Sequence, residues 1–337
     1  MRIKEKAYVF AGHQDDMSTF RFSNIVRTPE EADVLCVSMY RFNPFMKNEV
    51  INFLKTYTRR LIRKRKIYID GTVEIMPDIL VDCLLEIENL SNITLFTAER
   101  NPEWRKKDLF ELINRGLKIN YDCYFLKYKE YYTPITKNLE IQPKKFLYMV
   151  GKNKFERLVL LGLLAYENLI DKYAHISFFG NHIENIKFSA GVEVNDIFTN
   201  PLLCNKTKYK VKTGLRRIDP IFKLDTKIFD REVSHNRQYN RDYYDAVDFV
   251  VVGESNFAYD DVYFPTEKVA KPIQLNKKMI VLGTKNFVSN TIKYYEKRGE
   301  DVSDLFNWCD TKYDKEDNNI KRIEKIVETI KENAVNI

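Results

Sequence analysis

Short apolar runs rich in Val, Ile, Tyr and Phe alternate with amphipathic stretches along most of this chain, and that alternation narrows its fold more than any other feature. Strands are expected at Ala7–Ala11, Asp33–Val37, Lys66–Ile69 and Ile93–Thr97. Helical spacing fills the intervals at Lys47–Lys64, Pro77–Glu88 and Glu103–Arg115, where Pro77 and Asp78 suit a first turn and Gly116 suits a stop. Another strand is expected near Lys118–Tyr124. Residues Tyr128–Lys145 hold Pro134 and Pro143 without sustained periodicity and read as a linker. A second alternating set follows: strand Phe146–Val150, helix Lys154–Leu169, strands His175–Phe179 and Asp248–Val252, helix Glu267–Leu275 and strand Met279–Leu282. Ile320, Ile323, Val327 and Ile330 mark a terminal amphipathic helix. The expectation is α/β: two Rossmann-like, doubly wound domains, 1–140 and 145–337, facing a central cleft. In such sheets ligands sit beyond the carboxyl ends of the strands.

The length of 337 residues suits roughly two domains. With 44% apolar residues, global disorder is excluded. The longest apolar stretch, Leu158–Tyr166, is far short of the ~20 residues that span a bilayer, and the charged amino terminus does not resemble a signal peptide. Five cysteines, never in C-x-x-C spacing, argue against a disulfide framework and a zinc site. A monomeric cytoplasmic protein with no membrane association is expected.

Several chemistries are missing. No G-x-G pair, P-loop or G-x-S-x-G elbow occurs, and the four histidines are isolated. A D-x-D pair, which holds the cation in metal-dependent sugar transferases, is also absent.

Four constellations remain. Gly151, Lys152 and Arg157 stand where a strand turns into a helix, whose first turn offers N–H groups and a positive dipole end to a phosphate; an ordinary turn with solvated lysines is the alternative. Glu254 follows the strand Asp248–Val252, and Thr266 reads as the N-cap of a helix beginning Glu267-Lys268. A carboxylate there can accept from ribose hydroxyls, and Lys268 near a helix N-terminus calls for an anion. Third come two basic rows. Arg59, Arg60, Arg63, Lys64, Arg65 and Lys66 crowd eight positions, and Lys206, Lys208, Lys210 and Lys212 alternate with other residues ahead of Arg216 and Arg217. Read as a strand, that alternation sets four ammonium groups on one face, where a polyanion would release counterions. Fourth, a general base is available at strand ends from Asp15, Asp16, Asp70 or Glu99, and spacing does not choose among them.

Thr266-Glu267-Lys268 with Lys271-Pro272, behind Gly253-Glu254-Ser255, resembles the T-E-K segment of phage glycosyltransferases and fucosyltransferase-like enzymes. The second half is also similar in order and spacing to the DNA β-glucosyltransferases of T-even phages. Phe146–Arg157 resembles that family's donor loop, which bears two arginines. Arg157 matches the second, Asn153 stands at the first, and neighbouring Lys152 substitutes for it. His175–Asn181 is similar to the family's next strand. The resemblance implies Lys268 on the diphosphate and Glu267 on the ribose, with Lys271 at the family's glutamate position. Leu95–Arg100 resembles the family's catalytic loop, with Ala98 at the aspartate's place and Glu99 one residue later.

What the resemblance implies is a GT-B glycosyltransferase that moves a sugar from a nucleotide-diphosphate sugar, expected to be a UDP-hexose, to a hydroxyl. On this reading Gly151, Lys152, Arg157, Glu254, Thr266, Glu267 and Lys268 bind the donor. Glu99, Asp70 or Asp16 serves as the base. DNA carrying a hydroxymethylated pyrimidine is the expected acceptor, contacted by Arg59, Arg60, Arg63, Lys64, Arg65, Lys208, Lys210, Arg216 and Arg217. No metal or other cofactor is required, although a divalent cation is compatible with the scheme. The alternatives are transfer to a cell-surface glycan or a protein, and a non-catalytic DNA-binding protein.

Overall fold

A computed structural model of the chain describes residues 2–10, 21–38, 47–59, 66–71, 78–97, 106–123, 126, 133–150, 154–178, 200–225, 238–254 and 263–335. Asp15, Asp16, Glu99, Gly151, Lys152, Asn153 and the run Arg60–Arg65 lie outside these residues. The chain divides into two units: Met1–Lys127 with Asp261–Phe264, and Tyr128–Asp260 with Pro265–Ile337.

The first unit is built on six parallel strands: β1 (Arg2–Phe10), β2 (Arg21–Ile25), β3 (Val34–Ser38), β4 (Lys66–Gly71), β5 (Ile93–Thr97) and β6 (Lys118–Tyr121). They are ordered β2-β1-β3-β4-β5-β6. Helices α1 (Lys47–Arg59), α2 (Asp78–Leu85) and α3 (Lys106–Asn114) connect β3 through β6. Those three crossovers all advance in one direction, so right-handedness puts the three helices on one face. The strands confirm this with period two. Leu35 pairs in register with Ile67 and Ile67 with Ile93, and the row packs against Val50, Leu54, Leu80, Leu84 and Leu112. Cys36, Val34 and Phe96 point to the opposite face, with Ala7 and Ile3. Each of these side chains is buried, a contribution of about 1.5–3 kcal/mol for a large one.

The second unit carries a two-stranded ribbon and a four-stranded parallel sheet. The ribbon pairs β7 (Thr133–Ile135) with β10 (Gln238–Asn240). Thus the segment expected to be a plain linker supplies a strand. The sheet consists of β8 (Lys144–Val150), β9 (Ala174–Phe178), β11 (Val247–Gly253) and β12 (Lys278–Leu282), ordered β9-β8-β11-β12. His175, Leu147, Val250 and Met279 form one row across it. Numbered within each sheet, both begin 2-1-3-4, with one reversal of direction between the first and third strands. That is the flavodoxin-type order rather than the six-strand 3-2-1-4-5-6 of dinucleotide-binding domains.

Helix α4 (Phe155–Tyr166) follows β8, and every residue from Glu156 to Ala165 is buried. A helix apolar almost all round must be covered on all sides. It lies against a 21-residue helix, α6 (Asn205–Asp225), which follows the short α5 (Ile170–Tyr173), and against the terminal α11 (Asn319–Val335). At the α4–α6 crossing two glycines meet. A Cβ at Gly214 would fall 1.8 Å from the carbonyl oxygen of Gly162, so the backbones touch directly. Between β10 and β11 lies α7 (Arg241–Asp245), between β11 and β12 lies α8 (Glu267–Gln274), and α9 (Phe287–Glu296) and α10 (Asp304–Asn307) precede α11.

Helix α6 corrects the reading of Lys206–Thr213 as a strand. Thr207, Val211, Gly214, Leu215 and Ile218 are all buried at spacings of three and four, which is a helix buried on one stripe. The alternating lysines therefore do not share a face. At about 100° per residue, Lys206, Lys210 and Arg217 flank one side of that stripe, and Lys208, Lys212 and Arg216 flank the other.

Candidate functional site

The carboxyl ends of β8 and β11 lie side by side at the reversal point of the second sheet, and they bring most of the described donor-site candidates together. From β8 the chain advances to β9, and from β11 it advances the other way to β12. Right-handed crossovers therefore send α4 and α8 to opposite faces, the arrangement at which open α/β sheets bind their ligands. Arg157, in the first turn of α4, lies over the end of β11. A Cβ at Gly253 would sit 3.2 Å from both Cγ and Nε of Arg157, so the side chain of Arg157 packs directly on the backbone there. Arg157 itself is only 1% exposed, and its carbonyl oxygen accepts from the Tyr148 hydroxyl at 3.2 Å.

Glu254, the residue after β11, is fully buried. Its Oε1 accepts from the backbone N–H of Thr266 at 3.0 Å and its Oε2 from the Thr266 hydroxyl at 2.7 Å. Burial pushes the Glu254 carboxyl up, while the charge of Lys268 and the Thr266 bonds oppose that shift. With both oxygens engaged by Thr266, Glu254 is a strut that fixes the start of α8 to the end of β11. Thr266 is the N-cap of α8, its hydroxyl accepting from Lys268 N–H at 3.4 Å. The expected cap is thus present, and it is held from below by the strut.

The first turn of α8 carries the charges. Lys268 Nζ donates to Glu267 Oε1 at 2.7 Å and to Thr266 Oγ1 at 3.4 Å. The pair is half-buried, with side chains 22% and 14% exposed. Burial raises the Glu267 carboxyl, but the positive charges of Lys268 and Lys271 outweigh it and hold the carboxyl below its ordinary value. Lys271 stands one turn further on, with Nζ 5.7 Å from the ring centroid of Tyr239. Burial drives its ammonium down to about 8; Glu267 resists that shift and Lys268 adds to it. Tyr239 donates in turn to Gln274 Oε1 at 2.9 Å. At the start of α4, Glu156 is buried and its carboxyl is raised by burial, against the charges of Lys154 and Arg157. Glu156 thus stands with Lys154 and Arg157 at the head of α4, and Glu254 and Glu267 with Lys268 and Lys271 at the head of α8. Glu156, Tyr239 and the engaged state of Lys271 were not singled out from sequence. Only the i, i+4 spacing of Glu267 and Lys271 could have signalled the last.

The other candidates are scattered. Asp70 is fully buried at the carboxyl end of β4, in the first unit. Lys210 pairs with Glu167 at 3.4 Å and lies over the Tyr166 ring, and Arg217 donates to the Tyr166 carbonyl and to Asn168 Oδ1. These two cations therefore clamp α6 onto the end of α4. Lys208 is half-buried and Arg216 exposed on the opposite flank, and Arg59 ends α1. Among the described residues no group of three or more His, Cys, Asp or Glu side chains could hold a metal ion, and no helix is long and apolar enough to cross a membrane. Comparison of the chain with protein-family models, curated proteins and solved structures returned no match.

Proposed function

We propose that this chain is a glycosyltransferase of GT-B type that takes its sugar from a nucleotide-diphosphate sugar, with the donor held by the second unit. One observation carries the reading. Arg157, the Glu254–Thr266 strut, Glu267 and Lys268 converge at the carboxyl ends of β8 and β11, the reversal point where open α/β sheets bind ligands. Glycosyl transfer breaks the bond between the anomeric carbon and the diphosphate oxygen, leaving negative charge on the departing phosphate. Arg157 and Lys268, fixed by the sheet and by the cap of α8, supply preorganised positive charge to that oxygen, the kind of stabilisation worth most in catalysis. Glu267 supplies a carboxylate for the ribose hydroxyls, since Glu254 is committed to Thr266. The candidates for the base that takes the acceptor proton are Asp70, Glu99 and Asp16. The six cations among positions 59–66 keep modified DNA as the acceptor to test first, because Lys210 and Arg217 of the α6 row are spent on helix packing.

A thermal-shift screen of UDP- and GDP-sugars tests the donor half. A ligand at 100 times its Kd adds about 2.7 kcal/mol to the folded state. A clear rise in melting temperature with one sugar nucleotide is expected, and Lys268→Ala should abolish it. If no sugar nucleotide moves the transition, the chain is not such an enzyme and the non-catalytic DNA-binding reading takes its place. Incorporation of labelled sugar into hydroxymethylated DNA, against a glycan or protein acceptor, decides the other half.

A further inference from the structure

The ion pair at the head of α8 has a feature that a surface pair lacks. Glu267 faces two lysines at once, Lys268 through a 2.7 Å bond and Lys271 at i+4, in a half-buried position beside the buried Glu254. Glutamate four residues ahead of lysine is the favourable orientation for such a pair. Yet Lys268 also sits at a helix N-terminus, where a cation is disfavoured. The arrangement is therefore one carboxylate standing where two ammonium groups and a helix dipole all favour an anion.

We propose that Glu267 is the resident counter-ion of a two-lysine phosphate grip: it occupies the place of the donor's diphosphate, yields it when a nucleotide binds, and leaves Lys268 and Lys271 to hold the phosphates. This rests on the donor-site reading above and adds Lys271 to the grip. The exchange balances without any co-reactant, because a diphosphate replaces one carboxylate as partner of the same ammonium groups. Glu267 then finds new donors in the ribose hydroxyls, which a bare phosphate does not offer. The carboxylate therefore also sets specificity. It competes against any anion that lacks a sugar ring and is recompensed only by a nucleoside diphosphate. Burial, with a smaller contribution from Lys268, depresses the Lys271 ammonium, so a phosphate beside it would favour its charged form.

Isothermal titration of the full chain at pH 6.5 with inorganic pyrophosphate and with UDP tests this. Wild type should prefer UDP. Glu267→Gln should bind pyrophosphate roughly tenfold more tightly, because a competing charge a few ångströms away is gone, and should lose most of the preference for UDP. Lys271→Met should weaken both ligands, with Lys271→Arg restoring most of the affinity. Glu267→Ala and the melting curve of each variant separate a folding defect from a binding one, since misfolding weakens both ligands and cannot tighten either. If wild type binds UDP but Glu267→Gln and Glu267→Ala leave pyrophosphate affinity unchanged or lower, the counter-ion role is refuted and the donor site stands. If wild type binds neither UDP nor pyrophosphate nor any sugar nucleotide, the donor site itself is refuted and this inference falls with it.

Discussion

Gly214→Ala sets two well-calibrated effects against each other. In an exposed helix the change stabilises by about 0.8–1.0 kcal/mol, the difference in helix propensity. Here the new Cβ would land 1.8 Å from the Gly162 carbonyl oxygen and 2.9 Å from Tyr166 N, and both obstacles are backbone of α4. The helices must part by about 1.5 Å to restore ordinary contact, and a gap of even 0.5–1 Å forfeits a quarter to a half of the dispersion energy of facing atoms. Val211, Leu215 and Ile218 all lie along that seam and would lose contact together. Overpacking a core costs about 1–3 kcal/mol, and a backbone obstacle belongs at the upper end. The net expectation is a loss of about 2 kcal/mol, or roughly 4–8 °C in Tm for a unit of this size. The chain has two tryptophans, and Trp308 packs at a tilt against Phe249 of the second sheet, 4.9 Å between ring centroids. Urea unfolding followed by Trp308 fluorescence in a Trp104→Phe background therefore reports on that unit. Gly162→Ala, whose nearest neighbours are Val211 Cγ1 and O at 2.9 Å, should cost less. A Gly214→Ala variant as stable as its parent, or more so, would show that the two helices do not meet at their glycines.

Thr266→Ala removes both the cap of α8 and the two partners' shared hydroxyl, so we expect a loss of about 2–3 kcal/mol and weaker donor binding, read by melting and titration. Glu254→Ala should destabilise the second unit comparably, whereas Glu267→Ala, half-buried, should cost much less; equal losses would contradict the strut. Pyrophosphate affinity should be level below about pH 8 and fall above it, because an anion favours charged Lys271 and that lysine has lost its proton at higher pH. Lys271→Arg should move the fall to higher pH, and a flat profile in the wild type would count against Lys271 as a ligand. Arg63→Ala with Arg65→Ala should lower the salt slope of DNA binding by about two without touching sugar-nucleotide affinity.

Much of the sheet framework is legible in the residues because buried parallel strands need apolar runs with β-branched residues, and β3, β4, β5, β11 and β12 each contain one. β2, Arg21–Ile25, escapes because an edge strand mixes polar residues and needs no such run. Helix α6 misleads more instructively. Lys206 through Thr213 imitate a strand by alternation, while the deciding pattern is the spacing of Thr207, Val211, Gly214, Leu215 and Ile218, whose burial depends on α4. At the site, the strand-end position of Glu254 and the cap at Thr266 can be read locally. That they bond to each other, twelve positions apart, cannot, because their meeting is set by the register of β11 against its neighbours.

The adjacency of β8 and β11 also bears on how the molecule comes to be made. Lys145 and Asp248, 103 positions apart, are joined by an ion pair across the two central strands of the second sheet. No hairpin can nucleate that pairing, and loop closure of such length precedes any reward from it, which makes assembly slow. On the ribosome β8, α4 and β9 emerge long before the strand that must cover their inner edge. A nascent chain stopped anywhere before Val247 therefore carries an open, apolar strand border, and chaperone occupancy during synthesis should peak over that interval.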